Sequence, residues 1–374
     1  MEKRLKIWHV LYAIAHRFLR RRFHITAEPC KAEGPCLIIA NHVTTWDPLL
    51  LALSFRDNPI HFVASEHIFR HGWVSRLLEK LVEPIPRRKG AGGADTVMAC
   101  LRKLKAGESV CIFAEGDACW DGLSHEVFPA TGKLARMSGV KLVTYRLEGG
   151  YLSLPRWSKK LRRGKMHGAV VGVYEPEKLK AMKPAEITAL MNRDIFEDAW
   201  ARQRREHIPY RARNRAEGIE RGFFLCPRCR KIGTLRGVGN HILCACGLDL
   251  VYTEEGFLDP AEPFETLADW DRWQRETLAA LPAGEDQVLF SDPDMRLTEI
   301  GPHHEQTPLG RGVLEQRPDA LCCAGMRFAL PEISSMAMVK ANILLLTVGE
   351  KYYELRCARP CCLRKYLLWH QLRT

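Results

Sequence analysis

From Pro35 to about Pro176 the chain alternates short apolar runs with stretches of helical periodicity, and few architectures bury such a pattern. PCLIIAN, IHFVA, SVCIFAEG, VKLVTYRLEG and MHGAVVGVYEP read as strands, while DPLLLALSF, VSRLLEKL, ADTVMACLRKLKAG and TGKLARMSG read as helices. The alternation predicts an α/β layer whose mostly parallel, buried sheet is flanked by helices. In such a sheet, the loops leaving the carboxyl ends of the strands are where a site forms.

The pattern then changes. KPAEITALMNRDIFEDAWARQRREH predicts a further helical stretch running into a basic linker, and FFLCPRCRKIGTLRGVGNHILCACGLDLVYTEEGFLD shifts to short strands, turns and paired cysteines. Beyond Pro260 come the helical FETLADWDRWQRETLAAL, a strand-rich tail and the helical CLRKYLLWHQLR. The expected divisions are residues 1–25, an amphipathic helix; 26–215, the α/β unit; 222–258, a small zinc ribbon; and 259–374, a β-rich domain that loosely resembles a pleckstrin-homology barrel. With 374 residues, 46% of them apolar, the chain can fill more than one core.

Charge is unevenly placed. Of the net +12, residues 1–30 carry +5, RWSKKLRRGK carries +6 and ARQRREHIPYRARNR carries +5, which leaves the remainder slightly acidic. Clusters of this kind attract the phosphates of lipid or nucleic acid. Residues 222–258, however, hold four Lys/Arg against three acids. That near-neutral ribbon argues against a zinc-ribbon nucleic-acid-binding protein, and no nucleic acid is expected as a partner.

The first stretch, MEKRLKIWHVLYAIAHRFLRRRFHI, places Leu5, Trp8, Leu11, Tyr12, Ala15, Phe18 and Leu19 at helical spacing between basic clusters. Its apolar centre, interrupted by His9, His16 and Arg17, falls short of the roughly 20 residues a bilayer span needs. The expectation is a helix lying in the plane of an anionic membrane surface, with Trp8 and Tyr12 at headgroup level; the competing reading is a helix packed on its own domain. No apolar leader with a small-residue cleavage site is present, so the expected location is cytoplasmic, peripheral to the membrane's cytoplasmic face. The 14 cysteines are then expected to be reduced thiols, some of them metal ligands.

NHVTTWDP, residues 41–48, follows the first strand of the unit and carries a histidine and an aspartate five positions apart. Asp followed by Pro is also an ordinary helix start. Yet a carboxylate bonded to one imidazole nitrogen fixes the tautomer and leaves the other nitrogen as a base near neutral pH. In SVCIFAEGDACWDG, Glu115 and Gly116 end a second strand, which a parallel sheet brings to the same edge as His42.

NHVTTWDP followed by FAEGD resembles the glycerophospholipid acyltransferases, of the lysophosphatidate and glycerol-3-phosphate acyltransferase type, whose hallmarks are His-x4-Asp and Phe-Pro-Glu-Gly-Thr motifs. HFVASEHIFRHGWVSRLLEKLVEPIPRRKG is similar to the second block of that family, and GVKLVTYRLEGGYLSLPRW to its fourth. The resemblance implies a glycerolipid-acyltransferase-like fold and an O-acyltransferase. His42 would deprotonate an acceptor hydroxyl attacking the thioester of acyl-CoA or acyl carrier protein, and Asp47 would orient the imidazole. Asn41, Glu115 and Gly116 would shape the acceptor site, and the basic run Arg87, Arg88 and Lys89 would hold the acceptor phosphate. The implied acceptor is a lysophospholipid, 1-acylglycerol-3-phosphate, used in phospholipid synthesis. In the third block Ala114 replaces proline, Asp117 replaces threonine and Ala118 stands where the family often has arginine. These departures leave open a non-phosphorylated or other lipid acceptor, and an inactive lipid-binding member.

CPRC and CAC place Cys226, Cys229, Cys244 and Cys246 as two close pairs in a segment too small to build its own core. Two knuckles of soft thiolates suit tetrahedral zinc, which would be structural because four protein ligands leave no open position. The single residue within the second pair is tight for a knuckle, and His241 is the reserve ligand.

Overall fold

The chain is described from a computed structural model, which covers residues 2–65, 82–87, 93–282, 284, 287–301, 305–339, 341–358 and 361–373. The expected helix VSRLLEKL, together with Arg88 and Lys89, lies outside the described residues.

Seven strands build the first sheet: β1 (Ile25–Ala27), β2 (Cys36–Ala40), β3 (Ile60–Ser65), β4 (Ile85–Arg87), β5 (Ser109–Ile112), β6 (Lys141–Glu148) and β7 (Met166–Tyr174), in the order β1-β7-β6-β2-β5-β3-β4. β6, β2, β5, β3 and β4 run parallel to their neighbours, whereas β7 is antiparallel to β6 and carries β1 parallel to itself. β2 shows why CLIIA is apolar throughout: all five residues are buried. Leu37 and Ile39 enter one core with Leu104, Leu134, Ile187 and Met191, and Cys36, Ile38 and Ala40 enter the other. That alternation is the two-residue period of a strand covered on both faces.

The covering helices are α1 (Glu2–Phe23), α2 (Asp47–Ala52), α3 (Ala94–Lys105), α4 (Ala130–Ser138), α5 (Gly150–Ser153), α6 (Pro176–Ala181), α7 (Pro184–Ile195) and α8 (Ala199–Glu206). The single helical stretch expected after residue 183 is therefore divided. The Asp198 carboxylate accepts from Trp200 N and Ala201 N, both at 2.9 Å, and so caps a new helix instead of continuing the old one.

α1 packs on its own domain, which corrects the expected headgroup position of Trp8 and Tyr12. Trp8 Nε1 donates to Phe55 O at 2.8 Å, Tyr12 Oη donates to Leu53 O at 3.2 Å, and Arg4 pairs with Glu108 at 2.9 Å. An indole or phenol with a carbonyl inside the protein satisfies its polar end there. The opposite face of α1 leaves Val10, Ile14 and Phe18 more than half exposed.

Next come the four antiparallel strands of the ribbon, β8 (Leu235–Val238), β9 (His241–Cys244), β10 (Asp249–Tyr252) and β11 (Leu258–Asp259), and then α9 (Leu267–Ala279). The tail forms a second seven-stranded sheet, antiparallel throughout, from β12 (Phe290–Ile300), β13 (Gln306–Gln316), β14 (Ala320–Cys323), β15 (Met326–Ala329), β16 (Ile333–Val339), β17 (Ile343–Val348) and β18 (Lys351–Cys357). Its order is β15-β14-β13-β12-β18-β17-β16. The last helix, α10 (Arg364–Gln371), is buried from Arg364 to His370.

α10 also locks the parts together. The Arg364 guanidinium makes two bonds to Asp271 of α9, at 2.6 and 2.8 Å, and one to Gly222 O at 3.0 Å. Burial raises the Asp271 carboxyl, but Arg364 and Arg275 outweigh it and hold that group down to about 2. One more correction falls in this region: Cys357 and Cys361 are joined in a disulfide, so the reduced reading does not extend to that pair.

Candidate functional site

β2 ends at Ala40, and the loop that follows holds Asn41 and His42 at the carboxyl edge of the sheet. Asn41 is buried, with Nδ2 donating to Leu147 O at 2.8 Å and Oδ1 accepting from Leu147 N at 2.7 Å. The side chain thus continues the β2–β6 pairing where the strand itself has stopped. One amide hydrogen and one oxygen lone pair of Asn41 are used in that strut.

Asp47 opens α2, but its carboxylate turns back into the loop instead of capping the helix. Oδ2 accepts from His42 Nδ1 at 2.8 Å, Val43 N at 2.6 Å and Thr44 N at 2.9 Å, and Oδ1 accepts from Thr44 Oγ1 at 2.7 Å. Four donors converge on a fully buried group, so its position is overdetermined. Because a carboxylate only accepts, Nδ1 of the neutral imidazole must carry the hydrogen, which leaves Nε2 with a lone pair. The His42 side chain keeps 23% of its surface exposed and packs its ring 4.9 Å from that of Phe113.

Glu115, just past β5, ties this loop to its neighbour. Oε1 accepts from His42 N and Oε2 from His125 N, each at 2.7 Å. Burial pushes the Glu115 carboxyl up to about 8 against those two donors. Gly116 has φ +81°, and a Cβ there would sit 2.4 Å from Phe128 Cε2, so only glycine allows the turn to close. Phe128 in turn lies under Arg87, whose guanidinium carbon is 4.8 Å from the ring centroid. Burial moves the Arg87 guanidinium below its usual value. The structure therefore brings His42, Asp47, Glu115, Gly116 and Arg87 into one contiguous region, although β4 and β5 are not neighbours in the sheet.

The departures in the third block have a structural partner that the sequence did not single out. Asp117 forms an ion pair with Arg156, whose Nη1 also donates to Ala118 O at 3.1 Å and whose Nη2 reaches Met338 O in β16 at 3.2 Å. The guanidinium carbons of Arg156 and Arg364 lie over the Trp120 ring, 4.4 and 5.0 Å from its centroid. DACW is thus the place where the α/β unit receives the C-terminal domain, and the added carboxylate is neutralised there. The only signal in the sequence was the charge of RWSKKLRRGK, which gives no pairing.

In the ribbon the Sγ atoms of Cys226, Cys229, Cys244 and Cys246 all lie within 4.8 Å of one another. Cys226 and Cys246 are 3.6 Å apart, and Cys229 and Cys244 are 3.8 Å apart. A tetrahedral ion with metal–sulfur bonds of about 2.3 Å requires edges of about 3.8 Å, so the four thiols fit such an ion. His241 is turned away onto Asp249 at 2.8 Å, and the reserve ligand is not part of the cluster. The short second knuckle closes because Gly247 takes φ +87° just beyond it.

Comparisons with known proteins find two similarities. The family model described as Acyltransferase matches residues 21–148. A crystal structure of the 1-acyl-sn-glycerophosphate acyltransferase PlsC from Thermotoga maritima is similar at 18% identity and a TM-score of 0.41, over 51% of this chain and 78% of that one.

Proposed function

On the premise that residues 21–148 are an acyltransferase domain, we propose that this chain transfers a fatty acyl group from acyl-CoA or acyl carrier protein to a lysophospholipid hydroxyl, with 1-acylglycerol-3-phosphate as acceptor. The observation that carries this reading is the 2.8 Å bond from His42 to the buried Asp47, with Glu115 accepting from His42 N at 2.7 Å. His42 Nε2 takes the hydroxyl proton as the oxygen attacks the thioester carbonyl. The C–O bond forms, the C–S bond breaks, and the imidazolium returns the proton to the leaving thiolate. No acyl-enzyme is needed. Arg87 supplies the charge for the acceptor phosphate, a task for which a guanidinium fork is suited.

The four ribbon thiolates would hold zinc as a structural ion. Among the described residues no helix is long and apolar enough to cross a membrane. A peripheral attachment at the cytoplasmic face is supported instead by the outer face of α1. Val10, Ile14 and Phe18 are 59%, 72% and 56% exposed at four-residue spacing, beside Arg17 and Arg21, and Phe23 links this helix to the half-exposed Trp46 next to the His42 loop. Replacing Val10, Ile14 and Phe18 together by serine is expected to weaken binding to phosphatidylglycerol vesicles by on the order of tenfold or more, measured by co-sedimentation. Unchanged sedimentation would place the attachment elsewhere.

The direct test incubates the protein with labelled acyl-CoA or acyl carrier protein and a panel of lysolipids, followed by mass spectrometry of the products. An acylated 1-acylglycerol-3-phosphate is expected. A product only from non-phosphorylated alcohols would remove the phosphate contact, and no product from any pair would remove the transferase reading.

A further inference from the structure

Two basic runs far apart in sequence are joined by the fold. Arg163 N donates to Arg211 O and Arg211 N to Arg163 O, both at 2.9 Å, which stitches the segment at 156–165 to the linker at 201–215. The ribbon closes the far side. Asn240, in the β8–β9 turn, accepts from Arg215 N at 2.9 Å, while Gly239 O accepts from Ala216 N at 3.0 Å. Between linker and ribbon lies an open groove of about 550 Å³, lined by Arg211, Arg213, Arg215, Asn214, Asn240 and Glu254.

The charges in this groove are not matched. Glu254 is the one carboxylate of the lining, and it stands 3.5 Å from Arg211 and 3.6 Å from Arg215, beyond a direct hydrogen bond to either. Arg213 is exposed, and no carboxylate pairs with it among the described residues. Behind the wall, Arg162 is buried against Trp157 and Tyr252 and donates to Arg215 O at 2.6 Å. Burial, together with the like charge of Arg162, moves the Arg215 guanidinium below its usual value despite Glu254. Elsewhere the same protein pairs arginine tightly, as Arg364 with Asp271 at 2.6 and 2.8 Å. Three guanidiniums line the groove against one loosely held carboxylate, and although Arg215 also donates to Tyr252 O at 3.0 Å and Ala212 O at 3.1 Å, the excess positive charge favours an anion. The fork of a guanidinium matches phosphate oxygens two at a time, and two asparagine side chains in the lining offer further donors.

We infer that the groove formed by Arg211, Arg213, Arg215 and Asn240 is a second site, separate from the His42 region, that binds a phosphate or diphosphate group. The site exists only when the ribbon is folded against the linker, since Asn240 and Glu254 come from the ribbon's turns. Occupation would therefore couple an anionic ligand to the ribbon's attachment, outside the residues matched by the acyltransferase family model.

The test uses the full-length protein and inorganic pyrophosphate, titrated by calorimetry at low and moderate salt. Saturable binding is expected, weakened on the order of tenfold or more in Arg213→Glu and in Arg211→Glu, both exposed side chains whose replacement leaves the core intact. Thermal unfolding and metal content, measured on the same samples, are expected to match the parent. Arg87→Ala is expected to leave the pyrophosphate titration unchanged, which separates this site from the acceptor site. A competition arm then identifies the source of the group. Displacement of pyrophosphate by phosphatidate vesicles but not by phosphatidylcholine vesicles assigns a lipid headgroup, and failure of both to displace it assigns a soluble phosphate ester. Absence of pyrophosphate binding at millimolar concentration, or binding equal in the parent and both charge-reversal variants, overturns the inference.

Discussion

Replacing His42 by alanine is expected to lower acyl transfer by about 10²- to 10⁴-fold, the range that a positioned general base contributes. The loss should fall on kcat and leave the acceptor KM nearly unchanged, because in the proposed reaction the imidazole would act on the proton in flight and would not hold the lipid. His42 is partly exposed, and among the described residues its ring is hydrogen-bonded through Nδ1 alone, so the folded state loses little. Asp47→Asn separates orientation from packing. An amide of the same shape can donate where the carboxylate accepts, which opposes Val43 N and Thr44 N as well as His42 Nδ1. That variant should lose activity and also unfold at lower temperature, in contrast to His42→Ala. An alanine variant that turns over at the parent rate, with melting unchanged, would remove the imidazole from the reaction.

The second large effect concerns the ribbon. One zinc per chain is expected by metal analysis, and Cys226→Ser is expected to lose it. Structural zinc contributes on the order of 10–16 kcal/mol to small peptides that fold around it, far more than this segment's own core can supply. The damage should not stay local. Cys226 is buried beside Phe224 and Leu225, and Leu225 O accepts from Trp270 Nε1 at 3.0 Å, so α9 rests on the Cys226 knuckle. Limited proteolysis should therefore cut between residues 222 and 280 in the variant while the sheet around β2 and β5 stays protected. A variant without metal that resists protease as the parent does would show that packing alone holds the ribbon.

Much of this could be read from the chain before folding, for definite reasons. β2, β3, β5, β6 and β7 were legible because their apolar runs have strand length and are bounded by glycine, proline or charge. β1 and β4 were not, since three residues carry no period. The partners His42 and Asp47 were readable because five residues of loop keep them together, and the four cysteines because two short spacings declare a tetrahedral set.

Contacts between distant segments were another matter. α1 has an apolar stripe that suits either a membrane or a domain, and only the position of the Phe55 and Leu53 carbonyls sends Trp8 and Tyr12 inward, leaving Val10, Ile14 and Phe18 outside. The pairing of Asp117 with Arg156, the contact of Trp120 with two arginines and the joining of Arg163 to Arg211 are likewise set by where the sheet and ribbon place their loops.

What the sequence determined by itself is what acts over a few residues: strand and helix periods, the imidazole with its carboxylate, and the thiol knuckles. What tertiary structure decided is which face of α1 meets protein, which cations find an acid and which are left around an open groove. A charge or an apolar face carries no address along the chain. Its partner is chosen by packing that brings residues tens or hundreds of positions apart within a few ångströms.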